Sequence, residues 1–221
     1  MNINQLHSWS LTTQEAKAVQ QNLRNLVINQ DQFIEPIQYV AGVDMGFTED
    51  GKVSRAAVAV LSFPDLQLVE TSIAYRPTEF PYIPGFLSFR EIPALLDALQ
   101  KIKTTPDMIL CDGQGTAHPR RFGIACHLGL LVDIPTIGVA KSWFIGQHDA
   151  LADTKGSWQP LTDKGETIGA VLRTRSGVKP VYVSPGHRIS LATAIEYTLN
   201  CTTKYRLPET TRIADKLASS R

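Results

Sequence analysis

Two aspartates in this 221-residue chain occupy the same local context. Asp44 closes the apolar run VAGVD, Asp112 closes MILCD, and a glycine follows each within two residues. If the two runs are neighbouring strands, both carboxylates project from one sheet edge, where open α/β sheets bind ligands. Close carboxylates repel one another and call for a cation. Hard oxygen donors without thiolates favour Mg²⁺ or Mn²⁺ over zinc. An aspartate before a glycine also starts ordinary turns. For either residue alone the turn is the better account; for the pair, the metal is.

Other groups fit the same chemistry. Directly after DGQG stand His118, Arg120 and Arg121, and glycine-rich backbone, a helix start and two arginines suit a phosphate. Positive charge opposes the dipole at a helix N-terminus, so the placement points to an anionic partner. Lys141 ends TIGVAK and would emerge at the aspartates' edge, where an ammonium can offset developing charge. His187, in SPGHR, can bind phosphate or relay a proton, although most single histidines do neither. Glu91 is contested. Ser88-x-x-Glu91 has capping-box spacing, but that helix start would put Pro93 in the second turn, so the expected helix begins nearer Pro93 and leaves Glu91 free. His7 and His148 receive no role, and His127 reads as a core residue.

The elements that must hold these groups are legible in outline. Thr12-x-x-Glu15 caps a first helix carrying Ala16, Val19, Leu23, Leu26 and Val27 at helical period. YVAGVDMGF, AAVAVLSF and LQLVETSIAY, joined by tight turns, predict an antiparallel meander. A stiff PYIPG loop precedes a helix over 94–103, and MILC is a short buried strand. HPRRFGIACHLGLLVD predicts a helix and TIGVAKSWF a strand. Residues 146–160 are polar and irregular, IGAVLRT and KPVYVS form a hairpin, and helices over ISLATAIEYTLN and from Pro208 to Ala218 close the chain. The fold class is α/β, a mixed sheet covered by helices.

With 43% hydrophobic residues the chain can bury one sizeable core, and a single domain over 1–221 is expected. A net charge of +1 excludes a generally basic coat for nucleic acid but not a local basic groove. Cys111, Cys126 and Cys201 read as reduced core thiols, and the start MNINQLHSWS lacks a signal-peptide pattern. No apolar run is long enough for a membrane. A cytoplasmic monomer is expected. Three function classes follow: metal-assisted phosphodiester hydrolysis, an actin-like ATPase or sugar-kinase-type phosphotransferase, and a nucleic-acid-binding module. The second normally needs two such domains, and the third would not set carboxylates beside its arginines.

The motifs YVAGVDMGF, PYIPGFLSFREIPALL, CDGQGTAHPRRFGIACHLGLLVDIPTIGVAKS, YVSPGHRISL and RLPETTRIAD together resemble the endonuclease V family, nearly from end to end. The resemblance implies a ribonuclease H-like fold. It implies a repair endonuclease acting on DNA, single- or double-stranded, that contains deaminated bases such as deoxyinosine, and in some members on inosine-containing RNA. The cut would fall one nucleotide beyond the lesion on its 3′ side, leaving 3′-hydroxyl and 5′-phosphate ends. Asp44, Glu91 and Asp112 would bind Mg²⁺, or Mn²⁺ in its place. Lys141, His118 and His187 would serve catalysis, with Asp215 a weaker candidate for the same neighbourhood. Pro81, Tyr82, Ile83 and Pro84 would form a wedge. Gly85, Leu87, Gly113, Gly115, Gly123 and Ile124 would hold a flipped base. Arg90, Arg120 and Arg121 would contact phosphates.

Overall fold

The computed structural model describes residues 1–219. Strands β1 (Tyr39–Thr48), β2 (Val53–Ser62) and β3 (Leu68–Pro77) form the antiparallel meander. β4 (Met108–Cys111) lies parallel beside β1, and β5 (Thr136–Ala140) parallel beside β4. Three antiparallel strands, β6 (Trp158–Asp163), β7 (Glu166–Leu172) and β8 (Val181–His187), complete one eight-stranded sheet in the order β3-β2-β1-β4-β5-β8-β7-β6.

Period-two alternation sorts the apolar residues into two layers. Ala41, Val43, Ile109 and Cys111 face one layer, with Ile92, Leu95 and Leu99 of α2 (Leu87–Leu99) and Leu128 and Leu131 of α3 (Ile124–Val132). Val40, Met108, Leu110 and Ile137 face the other, with Ile195 of α4 (Leu191–Asn200) and Ala214 of α5 (Glu209–Ser219). Helix α1 (Thr13–Leu23) carries the expected capping box from Thr12 and Glu15 but turns into a short 3₁₀ segment at Arg24–Leu26. The three cysteines are buried free thiols. No helix among the described residues is long and apolar enough to cross a membrane.

Three elements differ from expectation. Helix α2 starts at Leu87, seven residues early, and contains Pro93 in its second turn. It forgoes one helical N–H there, but an apolar face from Phe89 to Leu99 buried on both sides of the proline holds it together. Glu91 is therefore inside the helix, and Ser88 is no cap. Helix α3 starts at Ile124 rather than His118, because Arg121 adopts a left-handed backbone (φ 55°) that ends any helical run before it. Residues 158–163, read as irregular apart from their last few, form edge strand β6.

Candidate active site

The parallel register pairs Val43 with Cys111, so Asp44 and Asp112 follow side by side at one sheet edge. A third carboxylate arrives from α5, on the face of the sheet that carries Val40, Met108 and Leu110. Gly42 and Gly46 lie four residues apart on the same face of β1, and α5 rests directly on them. A Cβ at Gly42 would sit 2.1 Å from the Thr210 carbonyl, and one at Gly46 would sit 2.2 Å from that of Ala218. This backbone-to-backbone approach lowers Asp215 onto the edge, and oxygens of Asp44, Asp112 and Asp215 lie within 4.8 Å of one another. Lys141, one residue past β5, places its Nζ 2.5 Å from Asp112 and 3.0 Å from Asp215.

The electrostatics follow from this crowding. Burial first, and then the Asp112 charge, push Asp44 up to about 7. Burial likewise raises Asp112, against the pull of Lys141. Burial opposes the Lys141 ammonium, but Asp112 and Asp215 outweigh it and hold its pKa above the usual lysine value. Lys141 in turn outweighs burial at Asp215 and lowers it. Glu91 stays outside the 4.8 Å cluster. Burial, and then Asp44 and Asp112, hold its carboxyl well above the usual range. Asp215, the weaker candidate, thus joins the two aspartates at the edge, and Glu91 lies buried on α2 within electrostatic reach of both. The sequence signal for Asp215 was Gly42-x-x-x-Gly46, a landing strip for a helix backbone. Three carboxylates in need of a counter-charge, all hard donors, fit a divalent cation such as Mg²⁺ or Mn²⁺.

A cavity of about 340 Å³ opens beside the cluster and shares Asp112 and Lys141 with it. Of the six expected pocket residues, Gly85, Leu87, Gly113, Gly123 and Ile124 line it. Gly115 does not: a Cβ there would meet the Pro185 carbonyl at 2.0 Å, so this glycine serves a buried chain crossing. The PYIPG loop forms one rim. Phe86 N–H bonds the Ile83 carbonyl at 3.0 Å across Pro84 and Gly85 (φ 83°), the arrangement of a type II turn. Pro81, Tyr82 and Pro84 are exposed, and Tyr82 is 71% accessible. Ile83 is half-buried, packing toward Phe80, Phe86 and Phe89 while also bordering the cavity. Trp143 and Phe144, in no expected set, border the cavity and are 58% and 39% exposed.

The basic residues are otherwise engaged. Arg120 donates to the Gly85 carbonyl at 2.6 Å and to Gln20, over the Phe86 ring. Arg121 pairs with Asp163 at 2.8 Å and Glu166 at 2.9 Å. Arg90 donates to the carbonyls of Phe80 and Gly51 and covers Phe47. All three brace loops, and Arg120 and Arg121 precede a loop, not the helix start expected of them. His118 bonds the Gly85 carbonyl through Nε2 at 3.1 Å and accepts from Arg120 N–H through Nδ1. Burial and then Arg120 lower it to about 4, so it is neutral at pH 7. His187 lies apart from the carboxylate cluster. It pairs with Thr136, the first residue of β5, whereas Lys141 follows the last, roughly 16 Å away at strand rise. There it accepts from Ile28 N–H and faces Asp133.

The model of the family described as Endonuclease V matches residues 21–216. An Endonuclease V of Trichormus variabilis is 75% identical over 221 residues, covering all of both chains. The crystal structure of the Endonuclease V from Streptomyces avermitilis superposes with a TM-score of 0.91 at 45% identity, over 99% of this chain and 96% of that one. The Endonuclease V of Ciona intestinalis, solved with a 24mer DNA containing an inosine followed by a ribo-adenosine, superposes with a TM-score of 0.81 at 30% identity, over 93% of this chain and 95% of that one.

Proposed function

The chain belongs to the endonuclease V family, nucleases of ribonuclease H-like fold, and from that premise we propose that it is a repair endonuclease for DNA containing deoxyinosine. The strand would be cut one nucleotide beyond the lesion on its 3′ side, leaving 3′-hydroxyl and 5′-phosphate ends. One observation carries the reading: a base-sized cavity, rimmed by an exposed tyrosine, shares Asp112 and Lys141 with a three-carboxylate cluster. Recognition and hydrolysis then occupy adjoining spaces.

An enzyme that inspects one base must take it out of the stack, at a cost of a few kcal/mol. Tyr82, held out on its proline-stiffened turn, is suited to fill the gap, as intercalating side chains do elsewhere. The extruded base would enter between Leu87, Gly113 and Ile124. His118, neutral and held at both nitrogens, shapes the wall rather than moving a proton. Asp44, Asp112 and Asp215, with Glu91 within electrostatic reach, would hold Mg²⁺ or Mn²⁺. When bound, that ion supplies Lewis-acid stabilisation of the phosphodiester's developing charge. Lys141 orients Asp112 and Asp215 and adds a fixed positive charge beside the reacting phosphate.

The inosine-bearing ligand solved with the Ciona relative supports the deaminated base as the recognised feature. Its ribo-adenosine favours inosine-containing RNA as a second substrate to test. The deciding experiment is a cleavage panel of inosine DNA, inosine RNA and undamaged controls, with Mg²⁺ or Mn²⁺, the cut position mapped. Nicking of inosine DNA at the second phosphodiester 3′ to the lesion is expected. Asp112→Ala should abolish it while leaving binding within about threefold. Full activity in that variant would remove the metal assignment, and ATP turnover without nucleic acid would support the phosphotransferase instead.

A further inference from the structure

Behind the cavity lies a histidine pair that the proposed reaction does not use. His127 of α3 is fully buried, and its Nε2 stands 2.7 Å from the Nε2 of His7. Its Nδ1 stands 3.0 Å from the Oγ of Ser88, and Ser88 lines the cavity. His7 Nδ1 lies 2.7 Å from the Ser8 carbonyl. Trp9 stacks on the His127 ring at 5.6 Å, and Phe89 and Phe122 close the other sides. The segment carrying His7 is pinned separately, where Asn4 bonds the carbonyls of Leu131 and Leu130.

The chemistry of the partners sets every hydrogen in this chain. A carbonyl only accepts, so His7 must donate from Nδ1. Burial lowers both rings below the ordinary histidine value, so both are neutral at pH 7. Neutral His7 then offers a lone pair at Nε2, and His127 must donate its single N–H there. His127 is left with a lone pair at Nδ1, so the Ser88 hydroxyl must give its hydrogen to it. The direction runs one way, from Ser88 to His127 to His7 to Ser8. Ser88 keeps only lone pairs for any other neighbour.

We propose that Ser88 is a specificity-determining residue of the cavity, locked by His127 and His7 as a hydrogen-bond acceptor for the ring N–H of a deaminated base. This deepens the function proposed above and rests on it. Hypoxanthine carries a hydrogen on N1, whereas adenine carries a lone pair at the same atom. An oxygen that can only accept bonds the first and repels the second. A free serine would rotate to suit either, so the discrimination lies in the lock. His7 and His127 are positioning residues: they touch no base and act through the Ser88 proton.

The test is equilibrium binding of single-stranded oligonucleotides carrying one deoxyinosine, one deoxynebularine (a purine with a lone pair at N1) or only undamaged bases, in metal-free buffer so that no strand is cut. Ser88→Ala is expected to weaken inosine binding about tenfold and to leave nebularine binding within about twofold, one hydrogen bond's worth. Ser88→Thr, which keeps the hydroxyl, should restore the difference. His7→Phe removes the terminal acceptor and should narrow the inosine-to-nebularine ratio about threefold, and His7→Gln, whose amide oxygen accepts, should recover it. Equal losses on both oligonucleotides, or an unchanged ratio, would overturn the proposal. Should Ser88→Ala fail to fold by thermal unfolding, the His7 pair decides, since His7 lies on a half-buried segment outside the helices. A wild-type protein that does not prefer inosine over the undamaged strand would refute the function itself, a result read before any variant.

Discussion

At the scale of single residues, the pair Asp44 and Asp112 was legible because both close apolar strands, and strand order alone brings such ends together. Asp215 was harder to read, since its helix α5 is polar along most of its length and an aspartate there looks solvated. The arginines' internal partners were not legible for the opposite reason: a sequence displays cations but not the carbonyls and carboxylates that they brace. The crowding of like charges makes a prediction. Asp44 is held at about 7 by burial and by Asp112, so at pH 8 the metal-free protein ionises it at a cost. Asp44→Asn should therefore stabilise the metal-free protein by on the order of 2 kcal/mol in denaturant unfolding while eliminating nicking. A destabilised variant would mean that Asp44 is held by contacts worth more than the repulsion. Tyr82 tests the rim independently. With 71% of its surface accessible it contributes little to stability, so Tyr82→Ala should leave the unfolding midpoint unchanged. It should slow cleavage of inosine in duplex by about tenfold or more and in single strands by less than about threefold, because only the duplex must be unstacked. Equal loss on both substrates would argue against a wedge.

At the scale of elements, the meander, the 175–177 hairpin and the last two helices were readable from periodicity and turn residues. The start of α2 was not, because the local rule against proline lost to burial of Phe89, Ile92, Leu95 and Leu99. The consequence is functional: an early helix start makes the wall of the cavity, at Leu87 and Ser88, part of the same rigid rod as Glu91. The other decisive contact is α5 on β1. Gly42 and Gly46 are buried or half-buried mid-strand glycines, which weaken a strand unless another backbone needs their space. Gly46→Ala should push α5 away, since its new methyl would lie 2.2 Å from the Ala218 carbonyl. The expected cost is about 1–3 kcal/mol in unfolding. Nicking should fall further than that loss of folded protein accounts for, because Asp215 and its bond to Lys141 move with the helix. A destabilised variant with full specific activity would show that Asp215 is not needed at the edge.

At the scale of the whole molecule, two sets of buried titratable groups oppose one another. His118 is lowered to about 4, and His7, His127 and His187 are lowered as well, burial leading in each. Below the ordinary 6.5 the unfolded chain takes up protons that the folded histidines refuse. Their contribution to stability is therefore full above that pH and is lost as pH falls toward 4, by about 1.4 kcal/mol per pH unit for each proton. Asp44, Asp112 and Glu91 are raised, so the folded state holds protons that the unfolded chain has released. Their penalty grows as pH rises from about 4 to about 7. In the metal-free protein the two slopes oppose each other, so stability between pH 4.5 and 7 should change less with pH than the histidines alone would make it. A divalent cation on the carboxylates strips them of protons in the folded state and cancels their slope. Unfolding midpoints measured with excess Mg²⁺ should then climb steadily from pH 4.5 to 7, and the gap between the two curves should widen with pH. Parallel curves would mean that the cation does not bind at this cluster, while a steep metal-free curve would mean that the carboxylates are not held protonated by their burial.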